Sequence, residues 1–132
     1  MEAAADRGRR SAVRVLIADD EPLFVEMVEA LLADEEQIEV VASAQDGQQA
    51  VELARVHDPD VIVMDISMPV IDGIEATRQI HNDNPDASIL ILTGSSTSAD
   101  VDRSRTAGVS GFLTKDRIAA HLVETILGLD SS

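Results

Sequence analysis

Apolar residues in this chain follow two alternating patterns. Apolar-rich runs occupy Val13 to Ala18, Ile38 to Ala44, Val61 to Met64, Ile89 to Leu92 and Val109 to Leu113, those at Val61 and Ile89 without interruption. They lack the in-and-out alternation of a half-solvated sheet, so each predicts a strand covered on both faces. Between the runs, apolar positions recur at helical spacing. Leu23, Phe24, Met27, Val28, Leu31 and Leu32 share one face behind Pro22, a residue suited to a first helical turn. After a turn expected at Asp46-Gly47, Gln48 to Val56 repeats the pattern with Ala50, Val51, Leu53 and Ala54, and Pro59 ends it. Ile74 to Asn82 predicts a short helix, and Ala99 to Ala107 another, closed by Gly108 and carrying little apolar surface. A last helix is expected to start from Asp116 as N-cap, to carry Ile118, Ala119, Leu122, Val123, Ile126 and Leu127, and to stop at Gly128.

Strand and helix alternate five times in this pattern. That predicts an α/β fold, a doubly wound five-stranded parallel sheet with five helices covering its two faces. In such a sheet, ligands bind outside the carboxyl ends of the strands. Those ends carry Asp19 and Asp20, then Asp65, then Thr93, then Lys115. Gathered on one edge, three carboxylates form a hard-oxygen site suited to Mg2+. A hydroxyl and an ammonium opposite them suit the oxygens of a phosphoryl group. Each residue also has a plainer explanation, since Asp65 at a strand end can cap its own turn and acids at a helix start complement its dipole. Two aspartates side by side at a strand end nevertheless repel unless a cation separates them. Lys115 is the only lysine in the chain, which makes its position opposite the acids informative.

Composition narrows the field further. The 132 residues suffice for one domain with a substantial core. Ten basic against 25 acidic residues give a net charge of -15, which argues against nucleic acid as a direct partner of this domain. There is no cysteine, so neither a disulfide framework nor a thiolate metal site is expected. No apolar run approaches the roughly 20 residues of a membrane-spanning helix, and residues 1–12 lack a signal-peptide core, so a cytoplasmic location without membrane contact is expected. Those first twelve residues, MEAAADRGRRSA, have no periodic apolar pattern and predict a disordered tail.

Four features taken together resemble the response-regulator receiver domains of bacterial two-component signalling, with the CheY-like fold. They are the pair Asp19-Asp20, the segment DISMPVIDG from Asp65 to Gly73, Thr93 followed by small Gly94, and Lys115 three positions after the aromatic Phe112. The resemblance implies a receiver domain over residues 13–128, strand order 2-1-3-4-5, and a tail or linker start at 129–132. Residue by residue, it implies that Asp65 accepts a phosphoryl group. Asp20, Asp65 and the backbone carbonyl of Ser67 would bind Mg2+ directly, and Asp19 through water. Thr93 and Lys115 would pair with phosphoryl oxygens, Gly94 would leave them room, and Phe112 would be the switch aromatic. Ser67 and Ser95 would influence hydrolysis, and two short hydroxyls imply an acyl phosphate of intermediate lifetime. Val70-Ile71 departs from the glycine-methionine or similar pair common in the family, which implies a stiffened or reshaped loop.

By the same resemblance, the donor would be a sensor histidine kinase or a phosphotransfer protein. The expected function is a phosphorylation-controlled switch with Mg-dependent self-phosphorylation and slow autodephosphorylation, and not a turnover enzyme. The stretches IEATRQI and GFLTKD look like those of receivers that precede DNA-binding output domains. A stand-alone regulator acting by protein contact, a phosphate-independent interaction module and an aspartyl-phosphate hydrolase are the other readings. The last needs a cap for which no segment is long enough. Homodimerisation on phosphorylation is a family expectation, with Arg103, Arg105, Arg117 and His121 as candidate contacts.

Overall fold

A computed structural model describes residues 12–94 and 98–131. The expected N-terminal tail, Ala12 apart, and Ser95 of the segment after the fourth strand lie outside the described residues. Five strands form one parallel sheet, namely β1 (Val13–Ala18), β2 (Ile38–Ala44), β3 (Val61–Asp65), β4 (Ser88–Thr93) and β5 (Gly111–Thr114), in the order β2-β1-β3-β4-β5. The helices between and after them are α1 (Pro22–Ala33), α2 (Gly47–His57), α3 (Gly73–Asp83), α4 (Ser98–Ala107) and α5 (Ile118–Ser131), the last entered through a 3-10 turn at Lys115–Arg117. The strand order and parallel direction are those implied by the sequence. No helix among the described residues is long and apolar enough to cross a membrane.

The apolar-rich runs are explained by the two core layers they serve. Leu16, Ile62, Met64, Ile89 and Ile91 point into one layer beneath α2 and α3, with Ala50, Val51, Ile74 and Ile80. Their neighbours Val15, Ile17, Val61, Val63, Leu90 and Leu92 point into the other, with Val28 and Leu32 of α1 and Ile118, Leu122 and Ile126 of α5. The central strands β3 and β4, buried on both faces, have no position for a charged side chain until they end. The first polar residue after each run is therefore delivered to the same edge.

Apart from one-residue shifts, element ends differ from the sequence reading in four places, each for a local reason. Asp46 is the N-cap of α2 and not part of a turn, its carboxylate accepting from the Gln49 amide at 2.7 Å. β5 starts at Gly111 and not at Val109, because Gly108 at φ 100° and the Val109 amide bonded to Ser104 O at 3.2 Å terminate α4. Asp116 lies inside the 3-10 turn and is not an N-cap. α5 runs through Gly128 to Ser131, so Leu129 to Ser131 are helix and not tail. Leu127 and Leu129 pack against the second core layer, and that burial outweighs the roughly 1 kcal/mol a helical glycine costs.

Candidate phosphoryl and metal site

Asp19 and Asp20 follow β1 directly. The Asp19 amide continues the ladder by donating to Ala44 O at 3.0 Å, and its side chain is 1% exposed. Its Oδ1 accepts from the Glu21 amide at 2.9 Å, which turns the chain into α1 at Pro22. Asp20 is exposed.

Asp65 is the last residue of β3 and is 6% exposed. Two glycines fix the loop that follows it. A Cβ on Gly73 would run into the Asp65 carbonyl oxygen, and the Gly73 amide donates to Ile66 O at 2.9 Å. A Cβ on Gly47, at the start of α2, would collide with the carbonyl oxygen of Ile71. The loop is thus clamped between the first turns of two helices, with Asp72 capping α3 through the Glu75 amide at 2.9 Å. Within it Met68 is buried, whereas Ser67, Pro69 and Val70 are exposed.

Thr93 ends β4 at 3% exposure, in register with Thr114 of β5, and Gly94 follows at a point where a Cβ would meet nothing within 4 Å. Lys115 enters from the end of β5. Its Nζ lies 3.1 Å from Asp19 Oδ2 and 3.1 Å from Asp65 Oδ1. Phe112 is half-buried, pairs with Ile91 in the sheet and packs against the first core layer.

The structure therefore brings Asp19, Asp20, Asp65 and Lys115 together, with Thr93 and Gly94 on the same edge. One carboxylate oxygen from each aspartate lies within 4.8 Å of the others, the only such metal-ligating group among the described residues. Three carboxylates and one ammonium leave a formal charge of 1 - 3 = -2 at the cluster. Crowded oxygen donors with excess negative charge fit a hard divalent cation such as Mg2+. Burial, then repulsion from Asp19, raises the Asp65 carboxyl pKa above the ordinary 3.8, and Lys115 only partly opposes this. For Lys115 burial disfavours the ammonium, but Asp65 and Asp19 outweigh it and raise its pKa above 10.5.

The dimer-face candidates do not join the cluster. Arg103 bridges to Asp72 at 3.1 Å, His121 Nδ1 lies 3.3 Å from Glu124 Oε1, and Arg105 and Arg117 are exposed. Phe24 was read from the sequence only as part of an apolar helix face. Its ring centroid lies 4.2 Å from Lys115 Nζ.

The chain is similar to known proteins over most of its length. The family model of the response regulator receiver domain matches residues 15–127. The transcriptional regulatory protein DegU of Brevibacillus brevis is 41% identical over 86% of the chain and 48% of its own length. The transcriptional regulatory protein PdtaR of Mycobacterium tuberculosis is 43% identical over 86% of the chain and 54% of its own length. The chain thus spans about half the length of these relatives. A solved two-component response regulator of the LuxR family from Aurantimonas superposes with a TM-score of 0.87 at 37% identity, covering 92% of the chain and 86% of that structure.

Proposed function

Because the chain belongs to the response regulator receiver domain family, we propose that it is a switch whose Asp65 accepts a phosphoryl group from the phosphohistidine of a sensor kinase or phosphotransfer protein. The observation that carries this reading is the pairing of Lys115 with both buried aspartates at 3.1 Å, beside exposed Asp20. In the transfer, an Asp65 oxygen attacks phosphorus as the P–N bond to the donor imidazole breaks. The electron pair departs on the imidazole nitrogen, and a mixed anhydride remains on Asp65. Lys115 exchanges a carboxylate partner for a phosphoryl oxygen, and Thr93 donates to another from the neighbouring strand end. Mg2+, when bound, neutralises the remaining oxygens and lowers the repulsion among the three carboxylates.

Asp20, Asp65 and the Ser67 carbonyl are the direct ligands in this reading, with Asp19 acting through water. Both Asp19 oxygens already accept bonds, from the Glu21 amide and from Lys115, which supports its indirect role. Ser67 and Gly94 border the phosphoryl position, and Phe112 follows the movement of Thr93 as the switch aromatic. The proposed setting is cytoplasmic, as the receiver part of a DNA-binding regulator. The relatives named as transcriptional regulatory proteins, of which the matched region is about half the length, support the transcriptional part of that reading.

Intact mass after incubation with Mg2+ and acetyl phosphate or phosphoramidate tests the reading. The native chain is expected to gain one phosphoryl group and Asp65→Asn none. If neither gains mass while both stay folded, the phosphate-independent module replaces the switch.

A further inference from the structure

Lys115 carries its charge on a four-carbon stem, and both of its charged partners lie among the aspartates. Two carboxylate oxygens at 3.1 Å draw the ammonium toward the cleft. The ring of Phe24 lies on Nζ as well, at 4.2 Å to its centroid, well within the roughly 6 Å over which an aromatic face attracts a cation. Phe24 belongs to the first turn of α1, where its amide donates to Glu21 O at 3.0 Å, and its half-buried side chain packs against the second core layer. The ring is therefore fixed to the element that begins just after Asp19 and Asp20.

Resting on the reading of Lys115 as a partner of the phosphoryl oxygens, we propose that Phe24 is a positioning residue for phosphoryl transfer. Its ring holds the Lys115 ammonium at the cleft while the N–H donors exchange from carboxylate to phosphoryl oxygen. The physical distinction is between partners that compete with the phosphoryl group and one that does not. Asp19 and Asp65 take N–H donors directly, so the ammonium must loosen those bonds to serve the incoming oxygens. A ring face attracts the charge without occupying a lone-pair-directed hydrogen bond, and it excludes water from that side of Nζ. An aliphatic side chain at position 24 fills the core and excludes water but supplies no attraction for the charge.

The single lysine makes the test direct, because lysine-selective 13C labelling yields one spin system. In the native chain, free of metal and donor, the Lys115 Hε and Cε signals are expected to shift upfield of their unfolded-state positions through the ring current. Phe24→Tyr is expected to keep that shift, and Phe24→Leu to lose it. At fixed Mg2+ and acetyl phosphate, the leucine variant should phosphorylate roughly three- to tenfold more slowly, the rate equivalent of a cation–π contact. The tyrosine variant should stay within about twofold of native, the ring contact being kept. Phe24→Met serves as the ringless variant if leucine does not fold. An unshifted native lysine signal, a ringless variant at native rate, or a tyrosine variant as slow as the ringless one each overturns the proposal. A native chain that takes no phosphoryl group overturns the transfer reading itself, an outcome distinct from equal rates in native and ringless chains.

Discussion

Val70 is a β-branched residue held at φ 74°, in the loop directly after the proposed acceptor strand. A left-handed conformation costs an L-residue about 1–2 kcal/mol, and branching at Cβ adds to it. The strain persists because the glycine contacts at both ends of the loop over-determine its path. Val70→Gly is expected to raise stability by about 1 kcal/mol, the relief being partly offset by the freedom glycine has in the unfolded chain. Thermal denaturation should show a gain of about 3–5 °C. Asp65 makes a second residue-scale prediction. Its raised pKa means that its ionised form is less favourable in the folded chain than in the unfolded one. The penalty is absent below the ordinary value, grows as pH rises from there toward the folded value, and is complete above it. In metal-free buffer Asp65→Asn should therefore melt above native at pH 7, and the gap should close as pH falls toward 3.8. A gap that widens on acidification contradicts this account of the site.

At the scale of elements, the first turns of α2 and α3 set the β3–α3 loop. Gly73 allows α3 to approach the Asp65 carbonyl, so Gly73→Ala must displace backbone against backbone. The expected loss is about 2–3 kcal/mol, read from the urea midpoint, together with slower phosphorylation because Asp65 shifts with its loop. The elements themselves were legible in the sequence because their strands are dominated by apolar residues and three of them end abruptly at Asp19, Asp65 and Thr93. The ends of the last helices were less so. Gly128 carries a stop signal, and only the packing of Leu129, a tertiary fact, carries the helix past it. The left-handed φ of Val70 was equally hidden, since valine is a residue type that gives no sign of it. Phe24 could be assigned to an apolar face by spacing alone, but the cation above its ring comes from 91 positions further along the chain, 115 - 24 = 91.

For the whole molecule, the decisive fact is that a fully parallel sheet places the carboxyl ends of all its strands on one edge. α1 enters that edge from one core layer and supplies Phe24, while the loop after β3 enters through the other and fixes Asp65. Lys115 joins the two sides at the end of β5. Twenty-five acidic residues are spread through the chain, yet among the described residues one trio gathers with metal-ligand spacing, and the single lysine bridges two of its members, Asp19 and Asp65. The central claim is that, of these three carboxylates, Asp65 alone takes the phosphoryl group. The most direct measurement is borohydride reduction of the chain treated with Mg2+ and acetyl phosphate, followed by peptide mass mapping, because hydride converts an aspartyl phosphate to homoserine at the modified position. Homoserine at position 65 and nowhere else is the predicted result. Homoserine at 19 or 20, or its absence from a chain that has gained phosphoryl mass, would contradict it.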